Sequence, residues 1–133
     1  MRLAIDASAG LYTAASRRGF MALARHQLAA PALFWSEAAS SLRETVYRGL
    51  LDVEEADRAL EALLAAPIER HTEDALYRRA TVIARRLGWA KTYDAEYLAV
   101  AEALGVPLLT RDARLARRAA SLVPIVSPEQ LEA

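Results

Sequence analysis

The sequence predicts an α/β domain whose parallel sheet is covered by helices on both faces. Short apolar runs of strand length alternate along the chain with longer stretches in which apolar residues recur at helical spacing. Such alternation is typical of parallel sheets, whose faces are covered by the connecting helices. The chain has 133 residues, of which 54% are hydrophobic, so a single domain spanning residues 1–133 can bury a core of its own.

The first predicted strand lies at the start of the chain. Residues 3–5 are the apolar run Leu-Ala-Ile, which suits a short buried strand. A helix-like stretch follows it and reaches Ala30, with a predicted break at residues 17–19. Pro31 then begins a second predicted strand, which ends near Trp35.

Helix signals dominate the next segment. Ser36 is a predicted N-cap, and Gly49 ends the helix that follows it. Asp52 and Glu55 form an aspartate version of the capping box at the start of the next helix, which ends before Pro67.

The second half of the chain repeats the alternation. Ile68 marks a short third strand, and Thr72 is the predicted N-cap of an amphipathic helix that closes at Gly88. The helix after Asp94 is apolar nearly all round, which predicts burial on several sides, and it ends at Gly105.

Two further strands complete the pattern. A fourth strand is predicted at residues 106–110, a basic helix from Asp112, and a last strand at residues 124–126. Every predicted strand but the last is followed by a helix, as a parallel sheet requires.

Composition narrows the chemistry that the chain can perform. It contains no cysteine, which excludes disulfides, a thiolate nucleophile and cysteine-based zinc or iron–sulfur sites. Its two histidines, His26 and His71, lie far apart in the sequence, so metal binding would depend on oxygen ligands. Seventeen basic residues balance seventeen acidic ones, so any nucleic-acid site must be local.

The chain shows no targeting or membrane signal. The apolar run at its amino terminus is cut short by Asp6 and lacks the length of a signal peptide. No apolar stretch approaches the roughly 20 residues that span a bilayer. We therefore expect a cytoplasmic protein without a membrane partner.

Four carboxylates stand where an apolar run or a tight turn gives way to a helix-like pattern. They are Asp6, Glu37, Asp94 and Asp112. The carboxyl ends of parallel strands share one edge of a sheet, so we expect these acids to meet there. Crowded carboxylates repel one another, which indicates a hard cation such as Mg2+ or Mn2+ between them. The competing interpretation of each acid is a helix N-cap, worth about 0.5–2 kcal/mol.

Several motifs around these acids resemble those of one enzyme family. The motifs, in chain order, are Asp6-Ala7-Ser8, Ser36-Glu37, Tyr93-Asp94-Ala95-Glu96-Tyr97-Leu98-Ala99, and Leu109-Thr110-Arg111-Asp112. Together they resemble the PIN-domain nucleases, and most closely the VapC-type ribonuclease toxins of toxin–antitoxin pairs. The resemblance covers essentially the whole chain in order and length.

The resemblance implies both a fold and a site. The fold is a three-layer α/β/α domain with a mainly parallel, five-stranded sheet. The site is a Mg2+ or Mn2+ centre formed by the four acids, with Ser8 and Thr110 as supporting polar groups. Some members carry a further acid two residues after the last one, where this chain has Arg114. The resemblance therefore does not extend to a fully ligated second metal.

The implied activity is endonucleolytic cleavage of single-stranded or loop RNA, leaving a 5′-phosphate and a 3′-hydroxyl. The implied partners are RNA, a second copy of the chain in a homodimer, and a cognate antitoxin whose tail covers the active site. Two alternatives remain: a PIN nuclease of ordinary RNA processing, and a PIN-like module that binds RNA or protein without cutting. The presence of all four acids argues against the second.

Three arginines near the last acid are candidate RNA contacts. Arg111, Arg114 and Arg118 fall at helical spacing, so a helix beginning at Asp112 would place them on one face, beside the phosphates of a bound RNA. The alternative is a solvated helix face without a ligand.

Overall fold

A five-stranded, all-parallel sheet runs through the molecule in the computed structural model, which describes residues 1–132. The strands are β1 (Arg2–Ile5), β2 (Gln27–Pro31), β3 (Ile68–His71), β4 (Leu108–Leu109) and β5 (Ile125–Val126). Their spatial order is β3-β2-β1-β4-β5, and each neighbouring pair is parallel. The predicted parallel sheet is confirmed.

Helices connect these strands. They are α1 (Ala7–Ala15), α2 (Leu33–Tyr47), α3 (Val53–Ala65), α4 (Asp74–Leu87), α5 (Tyr93–Leu104), α6 (Ala113–Ala119) and α7 (Pro128–Glu132), with a 3-10 helix at Gly19–Leu23. The sequence did not predict α7. No helix within residues 1–132 is long and apolar enough to cross a membrane.

The sheet is covered on both faces. Leu3, Ala4 and Ile5 of β1 are each 0% exposed, and successive side chains of a strand point to opposite faces. The three-layer arrangement follows, because burial of all three residues requires helices on each side. Helix α5 packs against β1 and β2 and buries every residue from 95 to 101, which confirms its predicted burial on several sides.

Helices α1, α2 and α3 pack closely because α1 carries a glycine at their contact. A Cβ atom at Gly10 would lie 2.5 Å from the ring of Phe34 in α2 and 3.4 Å from Leu63 in α3. Phe34 and Leu63 are both 0% exposed. The absence of a side chain at position 10 therefore lets α1, which begins beside Asp6, approach the helix that bears Glu37.

The predicted position of the second strand is wrong. Residues 27–31 form β2, and Leu33-Phe34-Trp35 is the first turn of α2. A short apolar run fits a buried strand and a buried helical turn equally well, so periodicity alone could not separate them. The helix predicted to reach Ala30 also ends early, since α1 stops at Ala15.

Some of the predicted helix caps are wrong and others are confirmed. Ser36 lies inside α2, and α4 begins at Asp74 without a capping side chain, so the N-caps predicted at Ser36 and Thr72 are wrong. The capping box of Asp52 and Glu55 is confirmed, with both of its hydrogen bonds formed. Gly88 ends α4 with a φ of 71°, a left-handed conformation that costs glycine little.

We expect Gly10→Ala to lower the free energy of unfolding by roughly 1–2 kcal/mol, as overpacked cores do. The added methyl group must displace the buried ring of Phe34. That cost exceeds the gain of about 1 kcal/mol that alanine brings to a helix interior. Urea unfolding of wild type and variant measures the difference.

The matched control is Phe34→Leu, alone and combined with Gly10→Ala. The smaller side chain should make room for the methyl group, so the double variant should lose less stability than the two single variants together. A Gly10→Ala protein more stable than wild type would show that the helices can separate at little cost.

Candidate active site

All four predicted acids lie at the carboxyl edge of the sheet, two as helix N-caps and two inside helices. Asp6 follows β1 and is the N-cap of α1. Asp112 follows β4 and is the N-cap of α6. Glu37 lies in the second turn of α2, and Asp94 is the second residue of α5. The expectation that Glu37 stands at a helix start is wrong, because α2 begins four residues earlier.

The four acids meet in one cleft. This acid cleft has a volume of about 270 Å³. Its lining side chains are Asp6, Ala7, Ser8, Leu11, Glu37, Ser41, Asp94, Tyr97 and Asp112. Strands β1 and β4 are neighbours in the sheet, and the Asp6 N–H donates to the carbonyl oxygen of Leu109 at 3.1 Å, so two of the acidic segments are joined directly.

Asp6 is the most buried of these acids and is fully hydrogen-bonded. It is 4% exposed. Its Oδ1 accepts from the backbone N–H of Ala9 at 2.9 Å and from the hydroxyl of Ser8 at 2.7 Å, and its Oδ2 accepts from the hydroxyl of Thr110. The capping interpretation and the cluster interpretation are therefore both true of this one side chain.

Ser8 and Thr110 connect Asp6 to the segment that carries Asp112. The Ser8 hydroxyl oxygen accepts from the Arg111 N–H at 3.0 Å, and the Thr110 hydroxyl oxygen accepts from the Asp112 N–H at 3.0 Å. The Asp112 carboxylate in turn accepts from the Leu115 N–H at 3.0 Å. The two hydroxyl groups thus hold both acidic segments in one hydrogen-bond network.

Tyr97 is a site residue to which the sequence analysis gave no role. Its side chain is 1% exposed, and its hydroxyl donates to Oε1 of Glu37. Burial and the hydrogen bond to Glu37 raise the pKa of Tyr97, so the phenol keeps its proton and remains a donor. The sequence could have indicated this role, because Tyr97 follows Asp94 by three positions and so lies on the same side of α5.

The electrostatics of the acid cleft disfavour several ionised carboxylates at once. Burial is the main cause that raises the pKa of Asp6, Glu37 and Asp94. Repulsion adds to burial: Asp112 raises the pKa of Asp6 and Asp94, while Asp94 and Asp6 raise that of Glu37. Hydrogen bonds from Thr110 and Tyr97 offset part of the effect, at Asp6 and Glu37 respectively.

The donor set of the acid cleft suits a hard divalent cation. It consists of carboxylate and hydroxyl oxygens, and a cation among them would relieve their mutual repulsion. Within residues 1–132, no three acidic or histidine side chains already lie at the spacing of one coordination sphere. Mg2+ usually keeps several water ligands and uses one or two carboxylates, so the arrangement fits a hydrated ion.

A second cleft adjoins the acids and carries positive charge. This basic cleft has a volume of about 430 Å³. Its lining residues are Glu37, Gly88, Trp89, Ala90, Lys91, Tyr93, Asp94, Asp112, Arg114, Leu115 and Arg118. The guanidinium carbon of Arg118 lies 4.8 Å from the centroid of the Trp89 ring, within the range of a cation–π contact. Arg114 and Arg118 thus share one cleft, as their spacing predicted.

Arg111 stands apart from the other two arginines. Asp112 caps α6, so Arg111 precedes the helix and does not share its face. Its guanidinium lies 4.2 Å from the centroid of the Tyr12 ring and forms an ion pair with Glu129 at 2.9 Å. The expectation of one helical face for all three arginines is therefore wrong.

Comparison with known proteins identifies the family of this domain. The family model described as "PIN domain" matches residues 3–121. "Ribonuclease VapC3" of Mycobacterium tuberculosis is 40% identical over 95 residues, which cover 71% of this chain and 67% of the relative. "Ribonuclease VapC9" of Mycobacterium tuberculosis is 33% identical over 124 residues, covering 92% of this chain and 95% of the relative.

Solved structures show the same fold. PAE2754 from Pyrobaculum aerophilum superposes with a TM-score of 0.79 at 26% identity, over 99% of this chain and 93% of that chain. A chain of VapBC2 from Rickettsia felis, bound to a DNA fragment from its promoter, superposes with a TM-score of 0.67 at 12% identity. That alignment covers 96% of this chain and 98% of the other, and at this identity it supports the fold alone.

We expect Thr110→Val to lower the free energy of unfolding at pH 7 by about 1–3 kcal/mol, because a buried carboxylate loses a hydrogen-bond donor. Loss of this bond raises the pKa of Asp6 further. The part of the loss that comes from Asp6 is present where Asp6 is ionised and disappears as the pH falls through its folded-state pKa. Urea unfolding between pH 7 and pH 4, in EDTA, measures it.

Thr81→Val is the matched control. The Thr81 hydroxyl donates to the carbonyl oxygen of Tyr77 at an exposed position of α4, so its loss should cost within about 0.5 kcal/mol at every pH. A Thr110→Val loss of equal size at pH 7 and pH 4 would show that the hydroxyl does not act on ionised Asp6.

Proposed function

The chain belongs to the PIN-domain family, and we propose that it is a divalent-metal-dependent endoribonuclease, the toxin of a toxin–antitoxin pair. Its curated relatives at 33% and 40% identity carry the name ribonuclease. The main support for metal dependence is that four acidic side chains converge in one cleft. We further propose that residues 1–133 form a single PIN domain.

In this proposal Asp6, Glu37, Asp94 and Asp112 form the acidic centre that binds hydrated Mg2+ or Mn2+. The bound cation would neutralise charge on the scissile phosphodiester and lower the pKa of the attacking water. Ser8 and Thr110 position Asp6 through the hydrogen bonds to its two carboxylate oxygens. Tyr97 orients Glu37 by donating to one of its oxygens.

The basic residues beside the acids would bind the RNA backbone. Arg114 and Arg118 line the basic cleft next to Glu37, Asp94 and Asp112, so phosphates held there lie beside the acids. Arg111 lies on the other side of Asp112, where it would reach RNA only by leaving its ion pair with Glu129. No side-chain nucleophile is required, which agrees with the absence of cysteine.

The partners proposed are a cognate antitoxin and a second copy of this chain. Several solved chains of this fold come from toxin–antitoxin complexes, such as VapBC-1 from nontypeable Haemophilus influenzae and a complex from Klebsiella pneumoniae. An antitoxin that covers the acid cleft would block RNA without altering the fold. We propose that the protein acts in the cytoplasm, where its RNA substrate is found.

The first test is RNA cleavage by the purified chain, freed of any partner. Cleavage should require Mg2+ or Mn2+ and stop in EDTA. Asp94→Asn should lower the rate at least about 100-fold, since even residues that only support metal ligands contribute 10- to 100-fold. Glu61→Gln, on the exposed face of α3, is the matched control and should cleave normally. Cleavage undiminished by EDTA would overturn the metal mechanism.

The same variant tests the acid cluster through stability. In EDTA at pH 7, Asp94→Asn should be at least as stable as wild type, because burial and repulsion raise the pKa of Asp94 and make its charge unfavourable. Mn2+ should raise the melting temperature of wild type by mass action, and much less that of the variant. A destabilised variant with the full Mn2+-induced rise would show that Asp94 lies outside the site.

Growth assays test the toxin role. Expression of the wild-type chain alone should arrest growth, while Asp94→Asn should be tolerated. Co-expression of a small protein encoded next to the chain should relieve the arrest. A wild-type chain that is tolerated at high level, yet folded and active on RNA, would favour the RNA-processing nuclease instead.

A further inference from the structure

The basic cleft is lined by side chains of both charges. The acids are Glu37, Asp94 and Asp112, and the cations are Lys91, Arg114 and Arg118. Among residues 1–132, none of these three cations forms an ion pair, and all three are exposed. Three unpaired cations beside an acid cluster remain available to bind an anion in the basic cleft.

The basic cleft also contains an aromatic side chain in contact with one of its arginines. The Arg118 guanidinium lies 4.8 Å from the Trp89 ring centroid. Trp89 is fixed by its backbone: Gly88 adopts a left-handed conformation at the end of α4, and the Trp89 N–H donates to the carbonyl oxygen of Ala84 at 2.8 Å. An arginine plane supported by an aromatic ring is a surface on which unstacked nucleobases bind.

The two tryptophans of the chain differ in a way that singles out Trp89. Trp35 also lies under an arginine, with Arg70 at 4.0 Å, but its indole N–H donates to the carbonyl oxygen of Leu63, and it lines neither the acid cleft nor the basic cleft. In the described part of the chain, the indole nitrogen of Trp89 has no hydrogen-bond partner. Trp89 is therefore the tryptophan that lines the basic cleft, and no hydrogen bond from its indole nitrogen contributes to holding the ring there.

We propose that the basic cleft is a subsite for one unpaired nucleotide next to the scissile phosphate. Lys91 and Arg114 bind its phosphate, and its base stacks on the pair of Arg118 and Trp89. A volume of about 430 Å³ lies within the usual range of small-ligand sites. A paired base has both faces covered by its neighbours, so the subsite selects single-stranded segments. The inference rests on the proposed function for the identity of the ligand.

The test uses adenosine 5′-monophosphate in EDTA, so that neither metal nor cleavage is involved. The chain has two tryptophans, so Trp35→Phe leaves Trp89 as the single tryptophan, whose emission is separated from that of the five tyrosines by selective excitation. The nucleotide should quench Trp89 fluorescence saturably. Adenosine and inorganic phosphate should each bind at least about tenfold more weakly, because each keeps only part of the contacts.

Two variants on α6 separate the subsite from general basicity. Arg118→Gln should weaken binding of the nucleotide about tenfold, since it removes the stacking surface. Arg117→Gln changes another exposed arginine of the same helix that does not line the cleft, and it should leave binding unchanged. Isothermal titration of these variants with both tryptophans present keeps the test valid if Trp35→Phe fails to fold.

Several results would overturn the subsite. One is that the nucleotide shows no saturable binding, and another is that Arg118→Gln and Arg117→Gln weaken its binding equally. A third is that inorganic phosphate binds as tightly as the nucleotide. A fourth is that a short acidic peptide quenches the fluorescence when the nucleotide does not, which would indicate a protein ligand in place of RNA. Metal-dependent RNA cleavage without nucleotide binding would overturn the subsite alone, whereas nucleotide binding by a chain that cannot cleave RNA would overturn only the proposed function.

Discussion

A single buried carboxylate organises this molecule. Asp6 lies at the end of the central strand β1, caps α1 through the Ala9 N–H, and accepts hydrogen bonds from the hydroxyls of Ser8 and Thr110. A charge at such depth is stable only when its hydrogen bonds are satisfied. The groups that satisfy it come from both neighbouring segments, so the requirement of one residue determines how β1, α1 and the end of β4 meet.

The remaining acids reach Asp6 through helix packing. Glu37 is carried by α2, which approaches α1 closely because position 10 has no side chain. Asp94 is carried by α5, whose buried run packs against β1 and β2. Burial, and then the repulsion that results, raise the pKa of Asp94 and Glu37, so the ionised forms of these carboxylates are disfavoured in this cleft. A divalent cation would favour the ionised forms.

Arginines lie near the acid cluster but form no ion pairs with it in the described part of the chain. Burial and repulsion from Asp112 raise the pKa of Asp94. Arg114 and Arg118 offset part of this rise, because positive charge lowers the pKa of a carboxylate. Neither arginine approaches to ion-pair distance within the described residues. The acids and the arginines line the same cleft, so they can act on one ligand, and the arginines remain free to bind its phosphates. A chain with zero net charge can therefore carry a local site for a polyanion.

The sequence alone determined the parallel α/β class, the helix ends at Gly88 and Gly105, and the identity of the four acids, because these depend on local periodicity, backbone freedom and charge. It misplaced β2, because an apolar turn such as Leu33-Phe34-Trp35 has no period that separates helix from strand. Only the tertiary structure decided that Tyr97 bonds Glu37 and that Arg111 leaves the face of Arg114. Those contacts join residues distant in sequence, and their geometry depends on how whole helices pack.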